Sequence, residues 1–139
     1  MIYLDANVFL YALLYDPSAI PEAGQSRKIL AQVSEGNLPA ATSALSWDEI
    51  VYIVRKLSGQ KAAIEAGERF LVFPNLRILD IDHSTVRKAQ DLAAQYGMKP
   101  RDAIHAACAI RSGIRDFLTD DRDFDRVREL RRIGFEDVG

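Results

Sequence analysis

Short apolar runs alternate along this chain with longer stretches of three- and four-residue periodicity, the pattern of parallel strands joined by crossover helices. Ile2 to Leu4 reads as a first strand, leading through Asp5 into a nearly all-apolar helix (Val8, Phe9, Leu10, Ala12, Leu13) that should be buried. The Asp16-Pro17-Ser18 turn ends it. An amphipathic helix from about Ala23 to Glu35 turns Ile29, Leu30 and Val33 inward, and Gly36-Asn37 supplies the left-handed stop expected after it. A short strand follows near Ala40 to Ser43. Ser46 then opens a helix whose Trp47, Ile50, Val51, Val54 and Leu57 recur on one face, closed by Ser58-Gly59. Helices over Lys61 to Val72 and Ser84 to Tyr96 flank a third strand at Arg77 to Ile81. Pro100 occupies the favoured first turn of the next helix, and Gly113 ends it before a fourth strand at Phe117 to Thr119. A last helix over about Asp123 to Arg131 and an edge strand at Ile133 to Val138 complete the expectation. The whole is an open α/β sandwich, in which ligands bind beyond the carboxyl ends of the strands.

At 139 residues and 48% hydrophobic, the chain suits one domain, residues 1–139, with a full core. Its net charge of -2 offers no bulk attraction for nucleic acid or an anionic membrane, so any such partner must be recognised locally. The only cysteine, Cys108, allows no internal disulfide and reads as a small core residue. No basic leader precedes the first apolar run, and no run approaches the roughly 20 apolar residues that cross a bilayer. A cytoplasmic protein without a membrane partner is expected.

The candidate chemistry is acidic. Asp5, Glu49, Asp102 and Asp121 lie far apart in sequence, yet each falls at a strand end or near a helix start. Singly, each has a structural explanation. Asp5 could cap the following helix. Ser46 to Glu49 matches a capping box worth roughly 1 kcal/mol. Asp102 sits where the helix dipole favours a carboxylate, and Asp121 belongs to the acidic run Thr119-Asp120-Asp121-Arg122-Asp123, from which chemistry alone does not select the ligand. Jointly, an α/β fold gathers these junctions on one edge of its sheet, and coincidence is the weaker account. An oxygen-rich cluster suits Mg²⁺ or Mn²⁺, the ions of phosphoryl chemistry. Asn7 can hydrogen-bond a carboxylate or a bound water. His105 and Cys108 stand at a spacing compatible with ligation, but only His83 remains to help complete a tetrahedral zinc set, so His105 is expected to pack or hydrogen-bond nearby. Tyr11, Tyr15, Tyr52 and Phe70 have the helical spacing of core or subunit-interface residues.

These segments resemble a known family over essentially the whole chain: the PIN domains, and among them the VapC-type toxin ribonucleases of VapBC modules. The resemblance rests on the opening Ile2-Tyr3-Leu4-Asp5-Ala6-Asn7-Val8, the Glu49 helix after Thr42-Ser43-Ala44-Leu45-Ser46, the Lys99-Pro100-Arg101-Asp102-Ala103-Ile104-His105 block, and the Leu118-Thr119-Asp120-Asp121-Arg122-Asp123-Phe124 ending. It implies a three-layer α/β/α sandwich around a four- to five-stranded parallel sheet, and Mg²⁺- or Mn²⁺-dependent endoribonuclease activity. It also implies a catalytic, metal-holding quartet of Asp5, Glu49, Asp102 and Asp121, the last chosen by the family's Thr-x-Asp pattern. Asn7, Thr119, Asp120 and Asp123 would support that quartet. Lys99, Arg101, Arg122 and Arg126 are the candidates to contact RNA phosphates, although acidic and basic residues are balanced from Met98 onward. The resemblance further implies a VapB-like antitoxin and a homodimer formed through the early helices. An orphan RNA-processing nuclease and a non-catalytic metal-binding interaction module are the alternatives; a phosphatase that uses an aspartyl nucleophile is disfavoured by Asn7, where such enzymes carry a second aspartate.

Overall fold

The computed structural model describes residues 1–138. Strands β1 (Ile2–Leu4), β2 (Ala40–Ser43), β3 (Leu76–Leu79), β4 (Asp116–Leu118) and β5 (Arg131–Ile133) form a single sheet in the order β3-β2-β1-β4-β5. Every pairing is parallel. Helices α1 (Ala6–Leu14), α2 (Pro21–Ser34), α3 (Leu45–Ser58), α4 (Gln60–Leu71), α5 (His83–Tyr96) and α6 (Pro100–Arg111) cover its two faces. The expected three-layer α/β/α sandwich with a four- to five-stranded parallel sheet is the observed one. The strand order reverses beside β1, because the chain builds β2 and β3 on one flank and returns to place β4 and β5 on the other. In an open α/β sheet such a reversal leaves a crevice at the carboxyl ends.

Side-chain alternation divides the interior in two. Ile2 and Leu4 join a cluster with Val8, Phe9, Ile29, Val33 and Ile50, whereas Tyr3 faces the other way among Leu92, Ala106, Phe117 and Phe124. A strand buried on both faces therefore reads as a continuous apolar run. Among the described residues no helix is long and apolar enough to cross a membrane.

The departures from expectation concentrate near the C-terminus. The helix expected over Asp123 to Arg131 is only a 3-10 turn, Arg122–Arg126, and the edge strand expected at Ile133 to Val138 is β5 at Arg131–Ile133, followed by a second short turn at Phe135–Asp137. Buried Phe124, Val127 and Leu130 recur every third residue and so imitate a helical face. Phe124 instead stacks on Phe117 with ring centroids 4.4 Å apart, pinning the turn to β4. Phe124→Ala should cost about 3–5 kcal/mol, the usual scale for emptying a buried aromatic site, as read from the urea midpoint. In α3, Ile50 and Val54 are buried as expected, but Trp47 and Leu57 are 42% and 62% exposed. Smaller shifts bring α2 forward to Pro21, α4 to Gln60 and α5 to His83, the last capped by Asp82, which accepts from the Thr85 amide at 2.9 Å. Cys108 is buried in the core.

Candidate active site

Asp5 leaves β1 at the reversal of strand order, and its two oxygens do different work. Oδ1 accepts from the Ala6 amide at 2.8 Å and caps α1, while Oδ2 accepts from the Thr119 hydroxyl at 2.8 Å. The cap and the site therefore coexist on one residue. Thr119 follows β4 and is fully buried, so this bond joins the backbone bond from the Asp5 amide to the Leu118 carbonyl in tying the ends of adjacent strands β1 and β4 together. Asp5 is only 7% exposed. Burial lifts its pKa above the ordinary range, and the neighbouring His105 and Thr119 offset only part of that rise.

Glu49 arrives from α3. The expected capping box does not form: the helix begins at Leu45 with Ala44 at the N-cap and no side-chain cap bond. Ser46 is buried and shares a 2.7 Å hydrogen bond with the Thr42 hydroxyl of β2. Tertiary packing has claimed the serine that sequence spacing assigned to the cap. Glu49 is left to reach inward, where its Oε1 lies 2.8 Å from Nε2 of His105.

Asp102 sits half-buried in the first turn of α6, immediately after the Pro100 start. Its pKa is raised to about 6, first by burial and then by the negative charges of Asp5 and Asp121, with Glu49 adding a smaller push. Charges interact this strongly only at short range. Asp121 caps the 3-10 turn by accepting from the Asp123 amide at 2.9 Å, and its own amide donates to the Thr119 hydroxyl at 3.1 Å. The negative charges of Asp5, Asp121 and Glu49, carried on separate segments of the fold, thus all bear on Asp102.

The flanking polar residues form a second web. Asp120 accepts from the Asn7 side-chain amide and from the Tyr11 hydroxyl, both at 2.6 Å. Asn7 Nδ2 also lies 3.2 Å from the Thr119 hydroxyl, and its Oδ1 is buried without a partner among the described residues. Asp123 is exposed and contributes its backbone, with its carbonyl accepting from Arg126 Nε at 3.3 Å. Arg101 pairs loosely with Asp48 at 3.6 Å. Lys99 and Arg122 are exposed and hold no side-chain partner among the described residues.

His105, expected to pack or hydrogen-bond nearby, does so with partners that the sequence did not indicate. It is 1% exposed, bonded through Nε2 to Glu49 and through Nδ1 to the Tyr3 hydroxyl at 2.7 Å, with Asp5 Oδ1 3.7 Å from Nε2. The available signal was a polar side chain on the buried, alanine-rich face of α6, where an unpartnered imidazole would be costly. Burial works against its protonation, but Glu49 and Asp5 outweigh burial and raise its pKa.

The PIN domain family model matches residues 2–130. The chain belongs to the PIN domain family. Among curated proteins no match was found. Solved structures with the same fold include VapBC2 from Rickettsia felis bound to a DNA fragment from its promoter, 22% identical, covering 96% of this chain and 98% of that one with a TM-score of 0.72. Mycobacterium tuberculosis VapC20, described as a Sarcin-Ricin loop cleaving toxin, is 16% identical over 92% of this chain and 95% of its own, with a TM-score of 0.75. FitAcB from Neisseria gonorrhoeae is 22% identical over 98% and 99% of the two chains, with a TM-score of 0.71.

The donors in this PIN domain fit a divalent cation. One ligand atom each from Asp5, Glu49 and His105 lie within 4.8 Å of one another. The surplus of carboxylate oxygen is the donor chemistry of Mg²⁺ and Mn²⁺, and the orphaned Asn7 oxygen adds a neutral acceptor able to hold a bound water. An apolar cavity of about 470 Å³ lies among Phe9, Leu13, Leu30, Phe70, Phe73 and neighbouring residues, and contains none of the four acids.

Proposed function

We propose that this PIN domain is a divalent-metal-dependent endoribonuclease and the toxin of a toxin–antitoxin pair. What supports the reading is the group of Asp5, Glu49 and His105, whose ligand atoms lie within 4.8 Å of one another, beside an Asp102 pKa lifted to about 6 by burial and then by the charges of Asp5 and Asp121. Such repulsion is retained in a fold when a cation relieves it. Bound among these carboxylates, Mg²⁺ or Mn²⁺ supplies Lewis-acid activation of the scissile phosphate and of a water nucleophile. The four acids hold the ion, Thr119 fixes Asp5, and Asp120 orients Asn7 through the bonds described above. Chemistry of this kind leaves the ribose 2′-hydroxyl idle, so the products should carry 5′-phosphate and 3′-hydroxyl ends.

Total RNA incubated with the purified protein and Mg²⁺ or Mn²⁺, with new 5′ ends mapped against an Asp5→Asn control, tests the assignment. Cleavage that survives in the control, or that proceeds in chelator, rejects it. Of the four candidates Lys99, Arg101, Arg122 and Arg126, Lys99 and Arg122 hold no side-chain partner among the described residues, whereas Arg101 and Arg126 already hold acceptors. Lys99→Ala and Arg122→Ala should each weaken RNA binding for all sequences alike and flatten its salt dependence by about one charge, as read by fluorescence anisotropy across a salt series.

The toxin role draws on the neighbouring structures, two of which are named as VapBC complexes or VapC toxins. The proposed homodimer draws on the large apolar side chains that α3 and α4 leave exposed, Tyr52, Leu57, Ile64 and Leu71, each more than half accessible, and the proposed antitoxin would cover the acidic residues. A cytoplasmic location follows from the RNA substrate. Co-expression with the product of the adjacent gene should suppress RNA cleavage, and an unaffected cleavage rate would favour a stand-alone RNA-processing role.

A further inference from the structure

Glu49 differs from the other members of the acidic group in reach. Asp5, Asp102 and Asp121 carry their carboxylates on short side chains, whereas Glu49 extends from α3 on a longer one with more rotamers to lose. Yet it is held. Its Oε1 meets His105 Nε2 at 2.8 Å, and the opposite ring nitrogen meets the Tyr3 hydroxyl at 2.7 Å. Tyr3 is fully buried, and His105 is 1% exposed. Turning the ring would leave two buried polar groups unpaired, at about 1–3 kcal/mol each. The imidazole is therefore locked between β1 and α3.

Both ring nitrogens are engaged, Nε2 by Glu49 Oε1 and Nδ1 by the Tyr3 hydroxyl, which leaves neither facing a cation in this geometry. Among the described residues no hydrogen bond engages the other oxygen of Glu49, Oε2.

We infer that Tyr3 and His105 form a positioning pair that clamps one oxygen of Glu49 and presents the other, beside Asp5, to the divalent cation. The inference rests on the metal site proposed above and assigns roles to two residues outside the acidic quartet. It separates this geometry from direct ligation by His105, which the proximity of Nε2 to both Asp5 and Glu49 would otherwise suggest. Neither residue touches the reacting atoms; each acts through Glu49.

Mn²⁺ alone, titrated into the untagged full-length protein and followed by the electron paramagnetic resonance of the free ion, provides the test. His105→Leu fills the space without a donor and should weaken Mn²⁺ binding about 10- to 100-fold, the scale on which lost partners of metal ligands act. His105→Gln retains an N–H donor and should recover affinity to within a few-fold. Electron spin-echo envelope modulation of the wild-type complex should show no imidazole nitrogen coupled to Mn²⁺. Such a coupling, or a His105→Leu variant with wild-type affinity, overturns the inference. If circular dichroism shows His105→Leu unfolded, Tyr3→Phe replaces it: a several-fold loss of affinity supports the pair, and unchanged affinity overturns it. Failure of the wild type to bind Mn²⁺ overturns the nuclease reading and this inference with it, whereas a binding wild type with indifferent variants overturns the inference alone.

Discussion

Asp102→Asn is expected to melt at a higher temperature than the wild type in chelator at pH 8, while RNA cleavage falls about 10²- to 10³-fold, the scale of removing one group preorganised for transition-state charge. The two effects have one cause. Folding raises the Asp102 pKa from 3.8 to about 6, so the folded state holds this proton more tightly than the unfolded chain does. Stability from this group is complete below pH 4 and is lost as pH rises through about 6; at pH 8 the ionised carboxylate opposes the fold. A shift of this size corresponds nominally to about 3 kcal/mol. The side chain is half-exposed, and solvent screening brings the figure to the order of 1 kcal/mol. Asparagine keeps the shape and drops the charge, which should raise the melting temperature by about 2–4 °C at pH 8 and by nothing at pH 4. Calorimetric scans at the two pH values, beside cleavage assays, check both halves. A variant less stable than wild type at pH 8, or one that cleaves within tenfold of it, would contradict the assignment.

The placements of Asp5 and Asp102 were legible because their addresses are set locally, by a strand end and a proline-started helix, whereas Asp121 was singled out from its acidic run only by the family resemblance. An α/β topology brings such addresses together whatever the loops between them do. Glu49 was harder, since Ser46-Trp47-Asp48-Glu49 has the spacing of a cap, and only the tertiary bond from Thr42 to Ser46 removes that option. No local pattern encodes a hydroxyl on a strand outcompeting a helix terminus. His105 was readable only as a polar residue on a buried face; its partners come from β1 and α3, 102 and 56 residues away. The C-terminal segment misled for a different reason. Phe124, Val127 and Leu130 repeat at a period that suits a helix, but they are anchors of successive turns, and three-residue β5 is too short to show alternation. Trp47 and Leu57 lie on the apolar face of α3 outside its buried stripe, with Trp47 against Gly67 of α4, where a methyl group would sit 2.9 Å from its ring nitrogen.

Divalent metal should produce the largest stabilisation available to this protein. Without it, the fold confines Asp5 with a pKa raised by burial and Asp102 with one raised by burial and like charge. A cation that binds the folded site and not the unfolded chain adds about 2.7 kcal/mol at a hundred times its dissociation constant. For a chain of this length that amounts to an increase of about 5–10 °C in melting temperature. The increase should depend on pH in a defined direction. Protons and metal compete for the same oxygens, so the stabilisation should be full near pH 8 and fall as pH drops through about 6, where Asp102 takes up its proton. Asp5→Asn should abolish it at every pH, because Asp5 stands between Thr119 and His105 at the centre of the group. Calorimetric melts in chelator and in Mn²⁺ across that range test the proposal independently of any RNA. Equal midpoints at pH 8, or a metal effect as large at pH 4 as at pH 8, would mean that these carboxylates do not share a cation.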